Sequence, residues 1–418
     1  MLTNAIKLAW KVLLRHLFYT FVTLFGISLT LTVLMVMTSF MDHLIGSHYP
    51  EHKRERMLYI QKVYEQDSLR QSGRMMAASF NFMKKYVLTL KTPEKVGITT
   101  FIGFANTYIN GHRLSLQTKL TNAGFWGVSD FEFLEGKPYN EQNIAKGESV
   151  AVITDELKRQ YFDVGDQSVI GKPIEIDNAT YRVIGVVRAA PVTRPFTSAD
   201  VYFPYTIPKS NYNSQRGLTG SYVAMLLARE PNDLTAMKKE FEGVVAQIPL
   251  PGVDDGWKYY YLKSTADTYL DNWLSSAFIR ADTNGSRIFY SVVALFMLLF
   301  MSLPAINLVN LNVSRIMERA SEIGIRKAFG APIRTLVGQF LIENLFITFL
   351  GGLIAVCLSA VIIYLINSSG WIARSDLTLN MWVFLVSLLI CFIFGFLSGV
   401  VPAFRMAKLS IADALKNT

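Results

Sequence analysis

The 418-residue chain is 51% hydrophobic and only 17% charged, whereas an ordinary soluble protein is about one quarter charged. So much apolar material excludes intrinsic disorder, and two cysteines, Cys357 and Cys391, both inside apolar runs, exclude a disulfide scaffold. The net charge of +9 suggests nucleic acid only if the basic residues cluster on a folded surface.

Residues 1–16 form a basic N-terminal segment with Lys7, Lys11 and Arg15 and no acid. The first charge-free run, 16–41, exceeds the roughly 20 residues a helix needs to cross the hydrocarbon core. It predicts a spanning helix over 17–41. A cleavable signal peptide has a shorter apolar core and an A-x-A-like site, and neither is present.

Residues 42–287 are long enough for a core of their own, divided into two lobes of mixed α and β character. A Met- and Phe-rich helix is expected over 67–86. Strand-like runs at 98–108 and 112–120 flank Asn110-Gly111, a two-residue hairpin signal. Further strands are expected at 149–154, 173–177, 180–188, 200–205 and 221–228. A helix over 232–247 follows Pro231, with Asn232 as its N-cap. The Pro-, Ser-, Thr- and Asn-rich stretch 189–220 reads as a mobile loop or lobe boundary.

This region shows no enzyme signature and no catalytic residue. His48 and His52 would share a helical face near His43, but no cysteine or carboxylate set completes a metal site, and a solvated juxtamembrane face is expected. The run from Gly165 to Pro173 has five residues between its glycines and Pro173 after Lys172, so it is a strand-entry turn and not a phosphate loop.

Three more charge-free runs follow, at 288–314, 344–373 and 377–404. They predict spanning helices over 288–313, 335–366 and 377–404, with an external loop at 367–376. The second helix contains Pro304, which can kink it, with Asn307 and Asn310 offering interhelical hydrogen bonds. Glu343 is the clear acid inside the third. Gly351, Ala355 and Ser359, and Gly395 with Gly399, have the spacing of close helix contacts, either between protomers or within one. Segments 1–16, 314–334 and the tail 405–418 carry 11 basic and 3 acidic residues. This excess orients both termini and the middle loop to the cytoplasm. The basic charge is a topology signal, and no nucleic acid is implied.

Between the second and third helices lies an amphipathic cytoplasmic segment, S314-RIMERASEIGIRKAFGA-331. Arg315, Glu318, Arg319, Glu322 and Arg326 populate its polar side, and Ile316, Ala320, Ile323 and Lys327 the other. Glu322 and Arg326 form an i,i+4 pair, and Gly330 then Pro332 stop the helix. Physics alone leaves a lipid-surface helix and a partner-binding helix open.

This segment resembles the E-R-x-x-E-I-G-I-R-K-A-x-G-A signature of the MacB/FtsX-like family of ABC-transporter permeases. The matching residues are Glu318, Arg319, Glu322, Ile323, Gly324, Ile325, Arg326, Lys327, Ala328, Gly330 and Ala331. The likeness continues through Gln339 to Glu343, Gly351-Gly352 and Pro402 to Leu415, with Ile411 where proline is usual. GKPIEIDNATYRVIGVV, from Gly171, is similar to a stretch of the family's external domain.

The resemblance implies one helix, a large external domain and three more helices in a bacterial inner membrane, surrounded by lipid. It also implies that Arg315, Glu318, Arg319, Glu322, Ile323, Gly324, Arg326, Lys327 and Gly330 dock a separate cytoplasmic ATPase subunit. ATP and magnesium would bind that partner, and this chain would hold no cofactor. The implied function is mechanotransmission: ATP hydrolysis moves the external domain for efflux or extraction of a substrate. The permease would act as a homodimer or with a paralogue, with a periplasmic adaptor and an outer-membrane channel as further partners. Two alternatives stay open: an FtsX-like activator of a cell-wall hydrolase, and a receptor or scaffold without an ATPase.

Overall fold

The computed structural model describes residues 14–15, 17–67, 72–163, 167–210, 212, 217–250, 253–254, 257–277, 287–300, 302, 332–371, 374 and 376–408. They form two compact units. One comprises residues 1–42, 287–369 and 377–418, and the other 43–286 and 370–376.

The first helix, α1, runs from Leu17 to Ile45, four residues beyond the sequence expectation. The first strands are β1 (Met57–Ile60), β2 (Val63–Asp67), β3 (Ser72–Ala78), β4 (Lys95–Thr100), β5 (Gly103–Ile109) and β6 (His112–Thr121). Then come β7 (Phe133–Gly136), β8 (Val150–Thr154), helix α2 (Asp155–Phe162), β9 (Pro173–Ile176), β10 (Ala179–Val187) and β11 (Val201–Pro204). The unit closes with β12 (Thr219–Gly220), β13 (Tyr222–Leu227), α3 (Leu234–Ala246), β14 (Val253–Asp254), β15 (Trp257–Ser264) and α4 (Tyr269–Ala277). Helices α5 (Arg287–Phe300), α6 (Ile333–Ser369) and α7 (Met381–Lys408) follow.

In the larger unit the ladder runs β14-β15-β2-β3-β13-β4-β6-β11-β8-β10-β7, with β1, β12, β5 and β9 attached at its flanks. Only β8–β10 and β6–β11 pair in parallel among the described strands. Asn110 and Gly111 have φ of 50° and 82°, the doubly left-handed geometry of a type I′ turn. This sets the register Ile109↔His112 through Gly103↔Thr118. One apolar core gathers Ile60, Phe82, Val87, Ile98, Met237 and Phe241. Another is aromatic, with Trp126 against Phe125, Phe131, Tyr139 and Tyr202. A third lies around Ile153, Leu157, Ile174, Val183 and Phe203.

Several local expectations are corrected. Residues 72–78 are strand, not helix: Glu65 pairs with Arg74 across the ladder, their side chains 2.6 Å apart. Helical turns begin only at Phe80, where the Ser79 hydroxyl accepts the Phe82 amide at 3.0 Å, so cross-strand pairing overrides the helix preference of Met and Ala. The run 98–108 is two strands, because β4 pairs with β13 and β5 with β6. Asn232 is not the N-cap: it lies within the turn Pro231–Asp233, the N-cap of the helix is Asp233 with no side-chain cap bond, and the Asp233 carboxylate instead accepts the Glu230 amide at 3.2 Å. Within the stretch expected to be a mobile loop or lobe boundary, residues 190–199 include the buried Ala190, Arg194, Phe196 and Thr197, so this part is packed.

In the smaller unit, among the described residues, Leu17–Ile45 and Leu341–Ser369 are long and apolar enough to cross a membrane, and Arg287–Phe300 and Met381–Ile393 are shorter apolar helices. Hydroxyls inside α1 fold back on the backbone: Thr23 donates to Tyr19 O at 2.7 Å and Thr38 to Leu34 O at 2.8 Å. Such bonds give the hydroxyls an acceptor within the helix. Ile27, Leu31, Leu34, Ile347, Ala355 and Cys391 form the core. Gly351 faces Ile27, where an added Cβ would stand 2.8 Å from Ile27 Cγ2, and Gly352 faces Leu388 at 2.7 Å. Thr32 donates to Ala355 O at 3.4 Å, and Ser359 lies 3.5 Å from the Met35 sulfur. Gly351, Ala355 and Ser359 of α6 therefore pack on α1 of the same chain, and Gly352 on α7.

Candidate functional site

A helix ending at Ile45 leaves its last carbonyls without intrahelical donors. Two arginines supply them. Arg54 donates through Nη1 to Leu44 O (2.7 Å) and Ile45 O (3.2 Å). Arg194 donates through Nη2 to His43 O (2.8 Å) and through Nη1 to Gly46 O (2.9 Å). Cationic groups at a helix C-terminus also oppose the negative end of its dipole.

Glu51 ties this cap together and is 0% exposed. Its Oε2 accepts from Arg54 Nε (2.9 Å), Arg54 Nη2 (2.7 Å) and the Tyr59 hydroxyl (3.0 Å). Its Oε1 accepts from Thr197 Oγ1 at 2.7 Å. The Arg54 guanidinium lies 3.9 Å over the Tyr269 ring, a cation–π contact. Tyr59 stacks on Phe196 at 5.0 Å. Residues 43–59, 194–197 and 269 thus converge on one carboxylate.

Burial alone would raise the Glu51 carboxyl, but Arg54, Arg194 and the Thr197 bond outweigh it and hold it below the ordinary value. Burial and the neighbouring Arg54 push Arg194 down to about 10, against the pull of Glu51. At neutral pH the cluster holds two cations and one anion. Nearby in charge terms, Lys119 of β6 is 0% exposed, and its Nζ donates to Thr100 O at 2.7 Å. Burial pushes it down to about 7, with Glu51 opposing. The network is built of ion-paired and hydrogen-bonded groups that hold backbone carbonyls. It can hold the last turn of α1 rigidly in one orientation, because breaking a buried pair costs about 3–5 kcal/mol.

Of the residues singled out in the sequence, Arg315, Glu318, Arg319, Glu322, Ile323, Gly324, Arg326, Lys327 and Gly330 lie outside the described residues, as do Pro304, Asn307 and Asn310. Glu343 is buried on α6, Gly351 touches α1, and Gly395 falls within α7. The histidines do not share a helical face. His43 ends α1, whereas His48 and His52 lie in the following turns. His43 is not solvated: it is buried, with Nε2 3.0 Å from Thr193 Oγ1. No group of three metal-ligating side chains occurs among the described residues. Sequence reasoning missed Glu51, Arg54 and Arg194. The one local signal was an E-x-x-R spacing just past an apolar helix, and its partners stand some 140 residues away.

Residues 20–244 match the MacB-like periplasmic core domain, and 294–411 match the FtsX-like permease C-terminal domain. The ABC transporter permease YknZ of Bacillus subtilis is 24% identical over 296 residues, 71% of this chain and 68% of that protein. The macrolide export ATP-binding/permease protein MacB of Pasteurella multocida is 25% identical over 311 residues, 73% of this chain but 44% of that protein. The chain thus spans less than half the length of that MacB relative. Among solved structures, the periplasmic region of MacB from Actinobacillus actinomycetemcomitans is similar at 14% identity and a TM-score of 0.36, covering 50% of this chain and 88% of that one. With the periplasmic core model matching more than half of its length, the chain belongs to the MacB- and FtsX-like family of ABC transporter permeases.

Proposed function

We propose that this permease is a non-catalytic, four-helix inner-membrane subunit that passes ATP-driven motion from a separate cytoplasmic ATPase to an external domain of two lobes. ATP and magnesium bind the ATPase, which docks on the segment 315–330. Two permeases, identical or paralogous, work as a pair, and a substrate is exported or extracted on the outer side. A periplasmic adaptor and an outer-membrane channel complete the pathway.

The observation that carries this reading is the buried cap on α1. A helix long and apolar enough to span a membrane ends on Arg54, which is ion-paired with Glu51, and on Arg194, whose turn is tied to Glu51 through Thr197. A helix end fixed in this way moves its surroundings when it moves. The separate apolar cores support the two lobes.

The full chain, purified with its ATPase, provides the test. The double variant Arg326→Glu, Lys327→Glu should insert normally yet lose stimulation of ATP hydrolysis by about tenfold or more, the scale of losing two charged contacts at an interface. Full stimulation in that variant refutes the docking segment.

A further inference from the structure

The segment 370–376 belongs by its contacts to the larger unit, although the helices flanking it, α6 and α7, belong to the smaller. Its base is closed by a reciprocal pair: Asn367 Nδ2 donates to Leu377 O, and the Leu377 amide donates to Asn367 Oδ1, both at 3.0 Å. Its tip carries Arg374, whose side chain is 14% exposed.

That guanidinium bridges two carboxylates. Nε lies 2.8 Å and Nη2 2.7 Å from Glu156 Oε2, and Nη2 also lies 2.7 Å from Asp200 Oδ1. Both acceptors sit on stiff supports. Glu156 is in the first turn of α2, which is capped by Thr154 Oγ1. Asp200 exchanges hydrogen bonds with Gln117 of β6: its Oδ2 accepts the Gln117 amide and its own amide donates to Gln117 O, both at 2.8 Å. Arg374 has φ of 61°, a conformation that side chains other than glycine seldom adopt. The two ion pairs hold it there.

We infer that Arg374 is a positioning residue that latches the outer loop between α6 and α7 onto the external domain, giving helix motion a second path into the domain beside α1. This inference rests on the permease reading above. A fork-shaped guanidinium suits the role, because it meets two carboxylates in fixed geometry where an ammonium cannot.

Hydrogen exchange on the full chain with its co-purified ATPase, in lipid nanodiscs, tests the latch in two stages. Without nucleotide, Arg374→Gln should raise exchange across 370–376 by about tenfold, the loss expected for a partly buried bridging arginine. Unaltered protection there overturns the latch itself. With ATP and orthovanadate, the wild type should show altered exchange over 43–56, 150–160 and 198–204. Arg374→Gln should keep the change over 43–56 and basal ATP hydrolysis, but lose at least half of the change over 150–160 and 198–204. Arg374→Lys should fall between. An undiminished change in all three segments of the glutamine variant refutes the second path. A wild type with no nucleotide-dependent change at all refutes the permease reading and takes the inference with it.

Discussion

Replacing Glu51 by Gln removes one charge and little else. The amide oxygen can still accept from Arg54 and Tyr59 at the Oε2 position, the amide NH2 then faces the Thr197 hydroxyl, and side-chain volume is nearly unchanged. The variant then leaves Arg54 and Arg194 buried around a neutral group, which should cost about 3–5 kcal/mol. At about 2–4 °C per kcal/mol for a domain of this size, the thermal midpoint should fall by about 6–20 °C. The assay is thermal unfolding of the full chain in detergent, read by tryptophan fluorescence, since Trp126 sits in the aromatic core. The Glu51 carboxyl is held below its ordinary value, so its contribution is present above the unfolded value near 4.5 and is lost as pH falls through the folded one. The gap between wild type and variant should therefore close in acid. A double variant, Glu51→Leu with Arg54→Met, removes both charges together and should be less destabilised than the sum of its single changes. A midpoint within about 1 °C of wild type for Glu51→Gln, or strict additivity in the double variant, would refute the claim that the carboxylate holds the cap together.

Lys119→Met should stabilise the protein by a few kcal/mol below pH about 7, with the gain shrinking as pH rises towards about 10.5. In that window the unfolded lysine binds the proton and the buried one does not, so wild-type stability climbs with pH. Unfolding midpoints at pH about 6 and about 9 check the sign, and a pH-independent difference contradicts it. Gly351→Leu should cost about 1–3 kcal/mol by overpacking against Ile27. Gly338→Ala, with nothing within 4 Å of the new carbon, serves as its control in the same melts, and equal tolerance of the two changes would show that the α1–α6 contact gives way freely.

The sequence was most legible where structure is local. The Asn110-Gly111 turn, the β-branched runs of β8 and β10, and the apolar length of α1 all follow from short-range chemistry. Residues 72–78 were misread because Met and Ala favour helices in isolation, whereas their fate is decided by pairing with β2. The buried ionic cluster had no local signature. Arg194 stands in a Pro- and Thr-rich stretch that reads as an exposed loop, and only the fold brings it to the end of α1. Arg374 shares the short loop 367–376 with one other charge, Asp376, and no motif marks it. Its partners, Glu156 and Asp200, lie more than 170 residues earlier.

The arginine cap on α1 also sets an order of events during synthesis. The carbonyls of His43 and Gly46 accept from Arg194, which the ribosome adds roughly 150 residues later. At about 5–20 residues per second, that interval lasts on the order of 10 s. Throughout it the C-terminal end of the first helix must rely on water or other transient donors for those groups. The helix can form at once, but its final turn is completed only when the segment around Arg194 has been made and folded.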